Sequence, residues 1–331
     1  MNNKSILVTG GCGLIGSNFI KKLIIYNYDI VIIDNLSSGY IENLSRIKFF
    51  SKNKKNISYL KIDLNNKLKL EKVFRKHNFN YIFHFAAISN IQTSINNPTK
   101  ILYNNLNTTK NLILLTKKYK VKYFVFSSSA SVYGDVEFKS NLKETSSVRP
   151  ISPYGVSKLK CENFIKKNSI NSYFNFCIFR YFNVVGNHLS KKIIKKKNLN
   201  LFEKINYCIK ENKLFKIYGN NLKTPDGTPV RDFIHIDDIV SAHLLCLNKN
   251  KTNFWNNIYN IGYNNGVTVF QIVSEFKKIF KKKLKFKFVN KKKGEIEKSI
   301  ANNQKLLKNT KWKPKFVNIN KMIRSYYINS K

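Results

Sequence analysis

The chain has 331 residues, 43% of them hydrophobic, and carries a formal net charge of +42 from 60 basic and 18 acidic side chains. That is enough apolar material to bury a sizeable core in two lobes, and no apolar run reaches the length of a membrane span, so no membrane-spanning helix is expected. Only six of the basic residues are arginine; the rest are lysines spread along a chain also rich in Asn and Ile, and A/T-biased codon usage explains that charge without a nucleic-acid partner.

In chain order, Ile6-Leu7-Val8 predicts a short apolar strand starting by Ser5, which leaves no room for a signal peptide. It runs into Thr9-Gly10-Gly11-Cys12-Gly13-Leu14-Ile15-Gly16, after which Ile15, Phe19, Leu23 and Ile24 recur at helical spacing. Gly10, Gly13 and Gly16 form a three-glycine turn between strand and helix, where backbone can approach a pyrophosphate at a helix amino terminus. A second strand, Ile30–Ile33, ends at Asp34, 18 residues after Gly16. A carboxylate there accepts from an adenosine ribose 2′-hydroxyl and repels a 2′-phosphate, so NAD is expected rather than NADP.

Strand and helix then alternate. Ile57–Ile62 predicts a strand leading to Asp63-Leu64, where a side chain can meet the adenine. Leu68–His77 predicts a helix, and Tyr81–Phe85 a strand running into the small pair Ala86-Ala87. Pro98–Lys120 predicts one long helix carrying Asn104, Asn105 and Asn107, and Val121–Phe126 the strand before Ser127-Ser128-Ser129. Tyr154–Lys167 predicts a helix, and Phe174–Arg180 a strand ending in Tyr181-Phe182-Asn183. This alternation means an α/β fold with a doubly wound parallel sheet and ligands at the carboxyl ends of its strands. From Val184 the pattern becomes mixed, with elements at Lys216–Tyr218, Ile239–Leu247, Thr268–Phe280 and Leu284–Val289. The expected division is 1–183 and 184–331, with strands and helices near 233–262 returning to the first lobe.

Tyr154 and Lys158 lie four residues apart, on one helical face. A phenol titrates near ~10. An ammonium beside it favours the phenolate, which makes Tyr154 a general base; Ser129 can donate to, or relay a proton from, the hydroxyl it deprotonates. The five cysteines (Cys12, Cys161, Cys177, Cys208, Cys246) show no Cys-x-x-Cys pair and no metal-ligand spacing. They read as reduced thiols of a cytoplasmic protein, and no metal site is expected.

Together these motifs, with Ser152-Pro153-Tyr154-Gly155-x-Ser157-Lys158, Arg180-Tyr181-Phe182-Asn183 and Thr228-Pro229-Val230-Arg231-Asp232-Phe233-Ile234-His235, resemble the extended short-chain dehydrogenase/reductase family and its UDP-glucose 4-epimerase branch. The resemblance implies a Rossmann-type sheet with a smaller mixed α/β substrate lobe, bound NAD, a UDP-sugar substrate and a homodimer. It implies cofactor contacts at Gly10, Gly13, Leu14, Ile15, Gly16, Asp34, Asn35, Asp63, Leu64, Phe85, Ala86, Ala87, Asn104, Ser127, Tyr154, Lys158 and Phe182. The catalytic set it implies is Ser129, Tyr154 and Lys158. For the sugar nucleotide it implies Ser129, Tyr154, Asn183, Asn200 and Leu201, with Tyr218 beside the uracil, Arg231 and Lys292 on the diphosphate, and Glu295 on the ribose.

Relatives that expel water place an Asp-Glu pair just after the serine strand, where this chain has Ala130 and Ser131. Ser89 stands where many of these epimerases have a lysine. Ser299 aligns with a gatekeeper beside the sugar, where a small residue leaves room for an N-acetyl group; a slip of a residue or two in this lysine-rich segment is the competing alignment. UDP-N-acetylglucosamine and UDP-uronate epimerases, and a silent binding protein whose basic surface holds RNA, stay open. The dimer is expected through the helices Pro98–Lys120 and Tyr154–Lys167, with Ile101, Leu102, Leu106, Leu112 and Leu115 as apolar faces that equally suit packing on the sheet.

Overall fold

In the computed structural model, which describes residues 4–50, 56–135, 141–189, 199–248, 252–280, 284–291 and 296–328, the first strand, β1 (Ser5–Thr9), is buried at every residue. A strand covered on both faces must be, which is why it reads as an unbroken apolar run. There follow α1 (Leu14–Leu23), β2 (Asp29–Ile33), α2 (Ile41–Phe50), β3 (Ile57–Leu60), α3 (Lys67–Lys76) and β4 (Phe79–His84). Next come α4 (Ile91–Asn96), α5 (Pro98–Lys118), β5 (Tyr123–Ser129), α6 (Pro153–Ser169), β6 (Asn175–Tyr181) and β7 (Asn183–Val185). The later part holds α7 (Leu201–Lys210), β8 (Phe215–Tyr218), β9 (Val230–His235), α8 (Ile236–Leu244), β10 (Asn257–Ile261) and β11 (Gly266–Thr268). The last elements are α9 (Val269–Phe280), β12 (Phe286–Val289), β13 (Lys298–Ser299), α10 (Gln304–Asn309) and α11 (Ile319–Ile328).

The main sheet has seven strands in the order β10-β6-β5-β4-β1-β2-β3, parallel throughout. From β1 the chain builds outward first on one side and then, after crossing back at β4, on the other. The crevice between β1 and β4 is therefore the topological switch point, where such sheets bind ligands. β10 comes back beside β6 from the later part of the chain, and α8 packs against α1. β9 instead joins β7, β11 and β13 in a small second sheet, and β8 pairs with β12 in a third.

One face of the main sheet is covered by α3, α5 and α6 over a core that includes Leu70, Leu112, Ile113, Cys161 and Ile165. The core on the other face begins with Ile6, Val8 and Phe19 and continues into the later part of the chain through Phe202, Ile217 and Phe276. The two lobes thus share one hydrophobic core.

Two boundaries differ from expectation in ways that bear on the site. β5 does not stop at Phe126: Ser127, Ser128 and Ser129 pair with Phe179, Arg180 and Tyr181, so the serines are the strand's own last residues. Of the apolar stripe expected at a dimer face, Ile101, Leu112 and Leu115 are buried within the chain, the latter two in the core beneath α5, because one side of α5 faces the sheet. The large apolar side chains that α5 leaves exposed are Tyr103 and Leu114. No helix among the described residues is long and apolar enough to cross a membrane.

Candidate active site

The crevice is lined first by the glycine turn. Gly10 adopts a positive φ of 70°, and a Cβ added there would lie 2.6 Å from the Ala86 main-chain nitrogen, so the loops after β1 and β4 can touch only because residue 10 is glycine. A Cβ on Gly16 would lie 2.4 Å from the Gly10 carbonyl oxygen, so α1 can start this close to the turn only with glycine. No side chain caps α1 and no acid occupies its first turn; its amino-terminal N–H groups are placed to meet an anion. Asp34 directly follows β2 at the crevice, its carboxylate fixed by the N–H groups of Cys12 at 3.0 Å and Leu36 at 2.8 Å. Burial raises its pKa and these two bonds oppose the rise.

Beyond Asp34 a polar chain runs along the adenine side. Asn35 donates to Asp63 at 3.0 Å, Asn65 to Asn104 at 2.9 Å, and Asn107 to Asn65 at 2.9 Å. Asn104 is therefore held within this chain, while its neighbour Asn105 does a separate task. Asn105 accepts from the Ile88 N–H at 2.9 Å and donates to the Ile88 carbonyl at 3.1 Å and to Ser157 at 3.0 Å, tying the loop after β4 to α6. Three residues expected to face a cofactor turn their side chains inward. Leu64 lies in the core under α3 and α5, and Phe85 stacks among Phe19, Phe83 and His243. Phe182 packs with Val132, Tyr133, Leu142 and Ala301. Apolar side chains at the ends of buried strands continue the core, so these residues offer main chain to the crevice.

The catalytic candidates converge. Ser152 caps α6 by accepting from the Gly155 N–H, and Pro153 presets the first turn. A Cβ on Gly155 would lie 2.4 Å from the Ser131 carbonyl oxygen, so glycine lets the start of α6 approach the end of β5. Tyr154 is thereby brought beside Ser129, whose Oγ bonds to Ser131. The Lys158 ammonium donates to the Ser127 carbonyl at 2.7 Å.

The expected lowering of Tyr154 by Lys158 is not what this geometry gives. Burial pushes the phenol up to about 12, the Ser129 hydrogen bond opposing it, and Lys158 is not among the groups that shift it. The ammonium lies over the rings of Phe126 and Tyr154, 4.7 and 5.8 Å from their centroids, rather than against the phenol oxygen. Burial pushes Lys158 itself down to about 8, with Cys161 and Glu162 opposing the fall.

On the sugar side the expected residues are scattered over short elements. Asn183 opens β7, opposite Phe233 of β9, and Tyr218 ends β8 beside Val289. Asn200 is the cap of α7: its side chain accepts from the Glu203 N–H at 3.0 Å and the Glu203 carboxylate accepts from its own N–H at 2.8 Å. Its carbonyl oxygen is committed there, and Leu201 is the first residue of the helix. Arg231 donates to the carbonyls of Val230 and Glu297 at 2.9 and 3.3 Å. Ser299 pairs in register with Arg231, so the two share one side of the small sheet. Lys292 and Glu295 lie outside the described residues.

The model of the NAD dependent epimerase/dehydratase family matches residues 6–262. The chain belongs to this family. Among its epimerase/dehydratase relatives, the UDP-glucose 4-epimerase of Dictyostelium discoideum is 34% identical over 314 residues, 93% of this chain and 90% of that protein. A structure of a UDP-glucose 4-epimerase from Stenotrophomonas maltophila, with bound NAD and formylated UDP-arabinopyranose, has a TM-score of 0.91. It is 26% identical and covers 99% of this chain and 98% of that one. The UDP-Glc/GlcNAc 4-epimerase of Campylobacter jejuni has a TM-score of 0.84, with 31% identity and 99% coverage of both chains. The uncapped start of α1, the glycine cradle and the fixed Asp34 carboxylate fit the family's dinucleotide.

Sequence reasoning missed what supports this epimerase/dehydratase site from behind. Ser127 meets Tyr181 at 2.8 Å, and Tyr181 meets His243 Nε2 at 2.8 Å. Burial pushes His243 down to about 4, so the ring is neutral. Its Nδ1 faces the Ile239 carbonyl at 2.8 Å and must carry the proton; Nε2 then accepts from Tyr181, and Tyr181 from Ser127. Buried Asp232 accepts from the N–H groups of Tyr263, Asn264 and Ala301 at 2.9, 3.0 and 3.1 Å, which fastens the strand bearing Ser299 to β9. His243 lies in no motif, and Asp232, although inside the Thr228–His235 motif, has its partners 31 to 69 positions further along the chain. Glu162 did carry a signal: it follows Lys158 by four residues on the same helical face.

Proposed function

We propose that this enzyme interconverts UDP-glucose and UDP-galactose by transient oxidation at C4 of the sugar. The observation that carries the reading is the meeting of Tyr154, on α6, with Ser129 at the end of β5, at the strand ends that border the glycine crevice. The turn after β5 offers Ala130 and Ser131 and no carboxylate, so the pocket has nothing there to protonate a leaving hydroxyl.

The turn of Gly10, Gly13 and Gly16 and the start of α1 would hold the cofactor pyrophosphate, Asp34 the adenosine ribose, and Lys158 the nicotinamide ribose. Bound NAD supplies the hydride acceptor at C4 and later the donor. Ser129 hydrogen-bonds O4 and orients the hydroxyl. Tyr154 takes the O4 proton as the C4–H bond breaks and the carbonyl forms; with burial holding the phenol up at about 12, the positive charge that NAD would bring into the crevice is what would favour its phenolate. Lys158, as the ammonium, balances the phenolate charge. Once the 4-keto sugar has turned over, Tyr154 returns the proton to O4 of the other epimer, so no external reductant is consumed. Arg231 and Lys292 would hold the diphosphate, Asn183, Asn200 and Leu201 the sugar nucleotide, Tyr218 the uracil, and Glu295 the ribose. On this reading 1–183 is chiefly the cofactor lobe and 184–331 chiefly the sugar-nucleotide lobe. The protein is a cytoplasmic homodimer joined through α5 and α6, with Tyr103 and Leu114 at the contact.

A second reading concerns the sugar. Ser299 lies half-buried beside Arg231, and a side chain that small supports room for an N-acetyl group.

The test is conversion of UDP-galactose to UDP-glucose by wild type and by Tyr154→Phe. Wild type is expected to turn over, and the variant to lose roughly a hundredfold to ten-thousandfold in kcat; a variant that keeps its rate removes Tyr154 as the base. In the same assay UDP-N-acetylglucosamine is expected to react, and no detectable rate with it would sink the wider specificity.

A further inference from the structure

Behind the catalytic face lies a buried charge cluster that the mechanism above does not use. Glu162 and Arg180 form a two-pronged ion pair, Oε2 to Nη2 at 2.6 Å and Oε1 to Nε at 3.0 Å. Their side chains are 0% and 3% exposed. Ser128 donates to the same Oε1 at 2.5 Å, Arg180 Nη1 donates to the Glu144 carbonyl at 3.4 Å, and the guanidinium lies 4.8 Å from the centre of the Tyr133 ring. Tyr154, Lys158 and Glu162 follow one another at intervals of four, so one face of α6 carries all three. Ser128 and Arg180 are register partners on β5 and β6. One carboxylate therefore ties the helix of the base and the lysine to the strand of the catalytic serine, and to the strand after it.

We infer that Glu162 and Arg180 are positioning residues for the reaction: the pair fixes α6, and with it Tyr154 and Lys158, against β5 and β6, and holds a carboxylate one helical turn from the Lys158 ammonium. The inference rests on the epimerase reading for its kinetic consequence and on geometry for the rest. A buried ion pair is a poor way to stabilise a fold, because desolvation offsets most of its attraction and apolar residues of similar size often serve as well. A pair placed one helical turn from a buried ammonium does something apolar residues do not. The charged and titratable groups facing Lys158 are few. Among the described residues, those on its own helix are Tyr154, Cys161 and Glu162; from β4 comes His84, pushed down to about 3 and hence neutral; from α5, which packs against this helix, comes Lys110, which acts on Cys161; from β6 come Tyr181 and, behind Glu162, Arg180. Of these, Glu162 is the carboxylate, and it opposes the fall that burial imposes on Lys158. Without it, Arg180 would stand unpaired in the same pocket and push Lys158 the same way as burial.

The experiment compares wild type with Glu162→Gln and with the doubly apolar Glu162→Leu/Arg180→Met, which leaves no orphan charge. Two readouts are taken. One is the pH profile of kcat/KM for UDP-galactose. The other is the Lys158 side-chain pKa, followed by carbon-13 NMR without substrate and assigned by the signal lost in Lys158→Arg. The double variant is expected to keep a wild-type Tm while its Lys158 pKa and the alkaline limb of its profile both fall by about one unit, a roughly tenfold loss of kcat/KM above the limb. Glu162→Gln, where it folds, is expected to move both further. A double variant with unchanged Lys158 pKa and unchanged profile would overturn the inference and leave the pair as packing. If wild type itself fails to turn over UDP-galactose, the functional reading fails, while the NMR shift still decides the positioning claim.

Discussion

The cofactor side and the sugar side of the crevice are assembled in opposite ways. On the cofactor side the contact surface is mostly main chain and small residues: the Gly10–Gly16 turn, the loop at Ala86 and the first turn of α1, all within two adjacent strands of a seven-stranded sheet. Large side chains there, such as Phe85 and Leu64, turn into the core. On the sugar side the candidates are side chains on short strands from distant stretches, and several already have an internal bond, as Arg231 and Asn200 do. The first surface is set by what is missing from glycine and alanine. The second is set by what long side chains reach. Damage to the first should therefore be steric and all-or-none, and damage to the second graded and confined to substrate terms.

The largest effect is expected from Gly16→Ala. The added Cβ would lie 2.4 Å from the Gly10 carbonyl and 2.9 Å from the Gly11 Cα. Both are main-chain atoms with no rotamer to yield, so α1 must move off the turn at a cost of roughly 1–3 kcal/mol. The purified variant is expected to lack NAD absorbance, to melt lower and to show no activity. Full NAD occupancy and an unchanged Tm would mean that the turn has slack and that the contrast fails at its stronger end.

Arg231→Lys tests the other end. It keeps the charge and removes the planar fork. NAD content and Tm are expected to stay as in wild type while KM for UDP-galactose rises about tenfold with kcat little changed. A fall in kcat with KM unchanged would place Arg231 with the reacting atoms rather than the diphosphate.

The same contrast explains how much was legible in the sequence. The glycine turn, Asp34 and the Tyr154–Lys158 pair are short motifs whose meaning lies in spacing, and the structure gives them the strand–turn–helix settings expected. The fold class followed from the same strand and helix alternation. What spacing cannot carry is the balance of burial against charge. Tyr154 and Lys158 lie where expected, yet desolvation moves the phenol up and the amine down. Long-range partners were equally hidden: His243 reaches Tyr181 across 62 positions and Asp232 reaches Ala301 across 69. Leu112 and Leu115 were visible as an apolar stripe, but a stripe does not say whether a sheet or a second copy covers it, and the sheet does.

Asn200 is where the comparison is most finely balanced, because one side chain is offered two tasks. Its carbonyl oxygen caps α7 through the Glu203 N–H, while a substrate contact would use its amide. Asn200→Ala removes both and is expected to cost about 1 kcal/mol in stability as a lost cap. Asn200→Ser keeps an oxygen able to cap and removes only the amide. If Asn200 also holds the sugar nucleotide, the serine variant should melt like wild type and show KM for UDP-galactose raised about threefold to tenfold, the loss of one hydrogen bond. If its KM is unchanged, Asn200 belongs to the helix alone. The sugar side then begins at residues such as Arg231, whose charge has more reach than a cap needs.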